Sequence, residues 1–204
     1  MLDQKFLQRG ATARLIPASL CLLAVFMVGW VSPRVQDKKR MIVRPLTLVK
    51  EPVEITFERH GQPVKANEEF EGDVDWVKEL KLKLKNRSDK TITFIVLDID
   101  FPETEAVVGK VAQRQIWLGR WPDEQTTRPL LQLRPGESTE FPLDAEYDDI
   151  KALITGIMPV DSITKTVIRL HQVMFDDGTL FSSGVMYRRN PDANDPHKWI
   201  KIEE

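Results

Sequence analysis

Strict alternation of apolar and polar residues is the feature that most constrains how this chain folds. From Glu79 to Lys85, leucines at every second position alternate with lysines, and Val53 to Phe57 follows the same rule with polar residues in between. A period of two places the apolar side chains on one face of an extended strand, whereas a helix needs a period near 3.6. The pattern therefore predicts strands with one buried face, and the lysine face opposes edge-to-edge aggregation.

Further short apolar runs, separated by turn signals, extend this pattern along the chain. The centre of 91–101 is apolar on both faces, which indicates a covered strand or a bulge that switches faces. Shorter strands are predicted at 115–118, 130–133 and 138–143, and 146–154 has the spacing of a short helix. About seven to nine strands without alternating helices predict an all-β, immunoglobulin-like antiparallel β-sandwich.

The strongest local signal is a predicted hairpin near the C-terminus. The runs 166–175 and 179–188 flank Asp176, Asp177 and Gly178, and Asp-Gly is the pair that a type I′ turn requires. The residues after Asn190 contain two prolines followed by Trp199 and Ile200. We expect this C-terminal tail, 191–204, to dock back on the domain.

An uncharged segment near the N-terminus predicts attachment to a membrane. Leu15 to Val31 carries no charged residue and is bounded by Arg14 and Arg34, which is near the lower limit for spanning a bilayer. The small residues of a cleavage site are poorly placed, so an uncleaved signal-anchor is favoured over a cleaved signal peptide. Basic residues on both flanks leave the orientation open, and export of the C-terminal side is favoured.

This interpretation divides the chain into five parts. They are an N-terminal tail (1–13), a transmembrane signal-anchor helix (14–32), a basic linker (33–50), the β-sandwich domain (51–190) and the C-terminal tail (191–204). The expected location is the inner or plasma membrane, with a single span and the domain in the periplasm or outside the cell.

Composition narrows the classes of partner. A hydrophobic content of 42% with 29% charged residues is typical of a globular domain rather than a disordered chain. The net charge of -2 gives no basic field for nucleic acid. The one cysteine, Cys21, lies in the apolar segment, so the predicted domain has no disulfide or cysteine metal site. We therefore expect no cofactor, no metal and no nucleic-acid partner.

Two groups of residues are candidates for function. Asp98 and Asp100 share one face of a predicted strand, as paired carboxylates in a hydrolase require, and His171 is a candidate base on another strand. Solvated carboxylates near a strand end are the favoured explanation of the first pattern, and no nucleophile or metal motif accompanies it. The sequence therefore gives no catalytic residue.

The stretch 114–128 is the second group and the more informative one. Trp117 and Trp121 lie four residues apart beside Arg114, Arg120 and Arg128. Indole and guanidinium groups are enriched at binding hot spots and suit a sugar, a peptide or a partner surface. We expect Ile116 and Leu118 to point inward and Trp121 outward, with a core position for Trp117 left open.

Turn sequences carry a resemblance to known modules. The run from Leu82 to Ile92, the later turn 133–137 and Phe141 resemble bacterial immunoglobulin-like modules of the FxLYD kind. The C-terminal run 175–179, Gly184, the segment 188–191 and Trp199 are similar to uncharacterised exported bacterial proteins. The resemblance implies a fold and export, and it implies no chemistry. The expected function is a membrane-anchored extracytoplasmic interaction module that binds a protein partner or envelope ligand, with an envelope hydrolase using Asp98 and Asp100 as the alternative.

Overall fold

A computed structural model describes residues 38–46, 50–121, 129–192 and 198–202. Within these residues the chain forms two β-sheets with short helical connections. The strands are β1 Lys38–Val43, β2 Val53–Arg59, β3 Gln62–Val64, β4 Glu69–Gly72, β5 Leu80–Asn86, β6 Ile92–Phe101, β7 Ala112–Gly119, β8 Ser138–Pro142, β9 Lys165–Phe175, β10 Thr179–Ser182, β11 Val185–Arg189 and β12 Trp199–Lys201. The α-helices of this part are α1 Glu105–Val108 and α2 Tyr147–Thr155.

The longest of these strands, β9, is the centre of an eight-stranded sheet. Its residues pair with β6 along one edge, and β7 continues the sheet beyond β6. The opposite edge is shared, because β1 pairs with residues 165–167 and β10 with residues 172–174. Strand β4 follows β1, while β11 and β12 follow β10. The β1–β9 pair is parallel, so the expectation of a purely antiparallel sandwich is corrected at that position.

The second sheet contains four strands in the order β3-β2-β5-β8, all antiparallel. Leu80, Leu82 and Leu84 of β5 are buried, as the alternation with lysines predicts. They pack in one hydrophobic core with side chains of β6, β7 and β9 from the larger sheet. The described chain is therefore an all-β sandwich of two sheets, and that part of the predicted fold class is confirmed.

Bulges on the central strands decide which side chains face the core. Two register shifts interrupt the pairing of β6 with β9. The first lies between Ile92 and Phe94 on β6, and the second lies between the Val96–Gln172 pair and the Leu97–Leu170 pair. His171 is the additional residue of the second shift. A bulge of this kind lets two successive residues occupy one side of a strand. The sequence leaves a covered strand or a bulge open for 91–101, and both features are present: residues 94–97 are buried on both faces, and the first shift lies just before them at Thr93. A second bulge lies on β9.

Strand β1 corrects the prediction that 33–50 is a linker without regular structure. Arg40 is 1% exposed, and its guanidinium donates to backbone oxygens of two separate loops. Nε donates to Gly72 at 3.1 Å, Nη2 to Asp73 at 2.9 Å, and Nη1 to Asp161 at 3.3 Å and to Ile163. A planar group with five donors can satisfy these carbonyls together, and this is why a basic residue occupies the core side of a strand.

The C-terminal hairpin is confirmed in part and corrected in detail. Residues 172–174 pair with 180–182 as expected, but the returning strand turns again at Ser183 and Gly184, so β11 pairs with β10 instead of continuing it. At the first turn Gly178 has φ +78° and its N–H donates to the Phe175 carbonyl at 3.1 Å, while Asp177 is not among the residues with positive φ. A type I′ turn needs positive φ at both central positions, so the type I′ turn that the sequence predicts is wrong.

Other local predictions have mixed outcomes. The helix predicted over 146–154 is α2, and Tyr147, Ile150 and Ile154 are its buried residues. The strand predicted at 130–133 is wrong, because Leu133 makes only an isolated bridge with Ile92. Trp199 of the predicted tail joins the larger sheet through β12.

The segment Leu15 to Val31 lies outside the described residues. Among the residues that the structure describes, no helix is both long and apolar enough to cross a membrane.

We predict that Arg40→Lys destabilises the domain by about 2–4 kcal/mol, because an ammonium group cannot reach four carbonyls in two loops and leaves buried acceptors unsatisfied. Urea denaturation followed by tryptophan fluorescence measures the loss. The neighbouring Lys39, whose side chain is 77% exposed, is the matched control, and Lys39→Ala should leave the midpoint unchanged. Equal midpoints for Arg40→Lys and the wild type would contradict the role given to Arg40.

Candidate functional site

The face of the eight-stranded sheet that is turned away from the shared core carries the candidate site; we call it the outer face. Alternation along β6 gives the core residues 95, 97, 99 and 101 and gives the outer face 94, 96, 98 and 100. Cross-strand pairing sets Trp117 beside Val96 and Gln115 beside Asp98. The outer face is thus aromatic at one end and polar at the other.

An aromatic cluster occupies the first end. Phe94 is 2% exposed and lies between two indoles, with ring centroids 6.0 Å from Trp117 and 5.4 Å from Trp121. Trp121 in turn contacts Trp199 at 6.0 Å. All three contacts are edge-to-face, a geometry that aromatic quadrupoles favour. Trp117 is held in this cluster and is still 41% exposed.

Gly119 explains how Trp121 reaches the same face as Trp117. It ends β7 with φ +84°, and a Cβ there would lie 2.4 Å from the Thr93 carbonyl oxygen and 2.8 Å from Leu131. Only glycine tolerates both the left-handed conformation and this close approach. The chain can therefore turn across Phe94 and place Trp121 against it.

Asp98 organises the polar end. Asp98 is 5% exposed; its Oδ1 accepts a hydrogen bond from Nε2 of Gln115 at 3.0 Å, and its Oδ2 lies 3.0 Å from Nδ1 of His171. One buried carboxylate thus fixes an amide and an imidazole at once. The Nδ1 contact turns the opposite ring nitrogen, Nε2, away from Asp98.

Asp100 forms an ion pair two residues along β6. Its Oδ2 lies 2.6 Å from a guanidinium nitrogen of Arg169, while Oδ1 is buried without a hydrogen-bond partner among the described residues. Burial raises the pKa of Asp100; the Arg169 charge opposes that shift, and the nearby Asp98 adds to it. The expectation that both carboxylates share one strand face is confirmed, and each of them faces a basic partner.

A groove of about 380 Å³ joins the two ends of the outer face. Trp117 and Trp121 line it on the aromatic side, and Gln115, Gln172 and His171 line it on the polar side, above Phe94 and Val96. We call it the tryptophan groove. Its size falls in the range of small-molecule sites, which combine apolar walls with a few oriented polar groups.

A notch of about 460 Å³ lies beside the tryptophan groove and shares His171 with it. It opens along the edge of β9, between the residues that pair with β1 and the residues that pair with β10. Asp98, Arg169 and Ser183 also line this notch. Ser183 has φ +50° as part of the tight turn between β10 and β11, so turn geometry accounts for its conformation.

A larger cavity, of about 930 Å³, lies elsewhere and is lined by residues such as Arg87, Lys90 and Phe181. Arg87 is paired with Glu54 and Lys90 with Asp177, at 2.5 and 2.7 Å. Both cations are therefore compensated locally, and the size of this cavity does not outweigh the oriented groups of the outer face.

The structure brings together only some of the residues that the sequence singled out in 114–128. Ile116 and Leu118 point inward, 1% and 9% exposed, as expected. Trp117 and Trp121 both contact Phe94, and Trp121 is half-buried rather than fully outward.

The arginines of that stretch are not gathered around the two indoles. Arg114 lies an odd number of positions from Trp117 and is on the other side of the sheet, where it bonds Glu146 at 2.8 Å and Asp149 at 2.6 Å. Arg120 lines a different cavity with Trp121 and Trp199. Arg128 lies outside the described residues.

Sequence reasoning missed three members of the site: Gln115, Gln172 and Trp199. Gln115 had a signal, because it stands two residues before Trp117 and therefore shares its strand face. Gln172 had none, since it faces outward only because of the bulge at His171.

Comparison of the chain with protein-family models, with curated proteins and with solved structures gives no match.

We predict that Asp100→Asn gains stability relative to the wild type as pH rises. The folded-state pKa of Asp100 is raised above the ordinary value of 3.8, so ionising it opposes folding in the window between the two values. The difference in urea midpoint, variant minus wild type, should be more positive at pH 7 than at pH 3.

Asp177→Asn serves as the control of opposite sign. Partial burial acts to raise the pKa of Asp177, but hydrogen bonds from Lys90 and Thr179 outweigh it and the pKa is lowered. Its removal should therefore destabilise the domain at pH 7 and have less effect at pH 3. If Asp100→Asn also lost stability between pH 3 and pH 7, the ion pair with Arg169 would outweigh burial, against this account.

Proposed function

We propose that this protein is an interaction module of the cell envelope that binds through the outer face of its larger sheet. In this proposal the segment Leu15 to Val31 anchors the chain as a single membrane span, and an immunoglobulin-like sandwich lies on the extracytoplasmic side. The proposal assigns the module no catalysis. The observation that carries it is the half-exposed indole of Trp117 at the edge of a groove with oriented polar groups.

The position of Trp117 supports binding rather than a purely structural role. A large aromatic side chain in water forgoes the free energy of burial, about 25 cal/mol per Å² of apolar surface. Its contact with Phe94 restricts the indole before any partner arrives. A side chain that is already ordered loses little entropy on binding, which is the property of a preorganised hot spot.

An envelope hydrolase remains the second candidate, and the contact between Asp98 and His171 favours it. A carboxylate that orients an imidazole is the arrangement used by general bases, and Asp100, with its raised pKa, lies two residues away on the same face. We rank this candidate below binding because Asp98 and Asp100 are both engaged with basic partners and almost fully buried.

We predict that full-length protein in mild detergent sediments with the insoluble envelope fraction of the cells that produce it. Trp117→Ala should reduce the affinity of the protein for the envelope fraction at least tenfold, because a central aromatic anchor contributes about 2 kcal/mol or more to the binding free energy. Val107→Ala is the control, since Val107 is 55% exposed on α1 and lies outside the groove. Sedimentation that is equal for the wild type and Trp117→Ala would refute the proposal.

The same mixture separates binding from hydrolysis. A binding module releases no soluble product from the envelope fraction. Mass spectrometry of the supernatant should then detect the same set of compounds for the wild type and for His171→Ala. Product release that depends on His171 would instead support the hydrolase and overturn the non-catalytic assignment.

A further inference from the structure

We infer that the tryptophan groove binds a neutral saccharide chain. This inference rests on the proposed function and names the class of ligand that the outer face takes. Its basis is the pairing of a stacking surface with hydroxyl-compatible polar groups in one groove of about 380 Å³.

The aromatic wall matches one side of a sugar ring. A pyranose presents a flat patch of C–H groups, which packs on the negatively polarised face of an indole. Trp117 is 41% exposed, while its contact with Phe94 is edge-to-face. The indole is therefore restrained without being buried, as a stacking surface requires.

The polar wall matches the hydroxyl rim of the same ring. Gln115 and Gln172 each carry a carbonyl oxygen that accepts and an amide nitrogen that donates, and a sugar hydroxyl also does both. Asp98 takes one N–H of Gln115 and faces Nδ1 of His171. The side chains of Gln115 and His171 are thereby held in place, so Asp98 acts as a positioning residue.

The described lining of the groove favours a neutral ligand over a strongly ionic one. None of the described side chains that line it is an aspartate, glutamate, lysine or arginine. Asp98 lies beneath the polar wall, 5% exposed and committed to its two partners. A phosphate or carboxylate would lose hydration there and would meet no lysine or arginine among the described lining residues.

The location of the groove argues against an extended peptide. Peptides that join a sheet pair with an open strand edge, whereas this groove lies on a sheet face where β6 is paired on both sides with β7 and β9. The backbone donors and acceptors of β6 are therefore used; among the described residues β7 pairs with β6 alone, so a peptide strand would add along the outer edge of β7 and not within the groove. Side-chain amides remain, and these recognise hydroxyl groups.

Three treatments of the envelope fraction test the ligand class, with full-length protein and the sedimentation readout. Trifluoromethanesulfonic acid cleaves glycosidic bonds and spares peptide bonds, proteinase K does the reverse, and chloroform–methanol removes lipids. We expect only the acid treatment to abolish sedimentation. Binding that survives the acid treatment, or that is lost with proteinase K or solvent extraction, would overturn the saccharide.

Two glutamines on one strand provide matched variants. Gln113 and Gln115 are both exposed on β7, and their positions pair with Asp100 and Asp98 on β6, but only Gln115 lines the groove. Gln115→Leu should weaken sedimentation at least tenfold, and Gln113→Leu should not change it. Gln172→Leu is a second groove variant, and urea midpoints report whether each variant folds.

The outcomes distinguish this inference from the proposed function. If sedimentation depends on Trp117 but resists the acid treatment, the outer face binds and its ligand is not a saccharide. If sedimentation never depends on Trp117, the proposed function itself fails. Equal effects of Gln115→Leu and Gln113→Leu would also reject the groove as the saccharide site.

Discussion

The pairing of β6 with β9 is the constraint on which the rest of the outer face depends. These strands are central to the larger sheet, and their core-facing residues pack against the second sheet. Because one face is buried, the register of the pair is tightly specified, and a slip of one residue would exchange the two faces. The bulge at His171 changes the alternation locally, so that Gln172 and Met174 continue the outer face while Leu170 and Val173 stay in the core.

Two buried carboxylates on β6 connect this register to the chemistry of the surface. Asp98 and Asp100 are both shielded from water, and each faces a basic group on β9, His171 or Arg169. A buried ion pair such as that of Asp100 with Arg169 contributes little net stability, since desolvation offsets the attraction between the charges. The effect of the two carboxylates here is orientation: Asp98 fixes the polar wall of the groove. The raised pKa of Asp100, caused first by burial, records the desolvation that its position imposes.

The sequence predicted those parts of the structure in which side-chain alternation is undisturbed. The leucine–lysine strand β5, the buried Ile116 and Leu118, and the shared face of Asp98 and Asp100 all follow from a period of two. Elements stabilised by partners distant in the chain were not predictable. In the sequence, β1 resembles a basic linker, because nothing near Arg40 in the chain shows that its side chain is buried. The carbonyls that accept its hydrogen bonds come from residues 72–73 and 161–163.

The candidate site was predictable to the same extent. Trp117 and Trp121 stand out by composition, but the partner that joins them, Phe94, lies on another strand. Arg114 is close to them in the chain, but its odd spacing from Trp117 implies the opposite face of the strand, where it bonds Glu146. Gln172 depends on a bulge, and local sequence does not specify bulges well because they arise from pairing with a neighbour.

Hydroxyl-radical footprinting with mass spectrometry tests the central claim, that the outer face is the binding surface, most directly. Full-length protein is oxidised with and without the envelope fraction, and modification is compared at Trp117 and at His60. The side chain of His60 is 63% exposed in the turn between β2 and β3 of the other sheet. The account predicts protection of Trp117 with unchanged oxidation of His60. Protection of His60 with none at Trp117 would place binding on the opposite sheet and contradict the account.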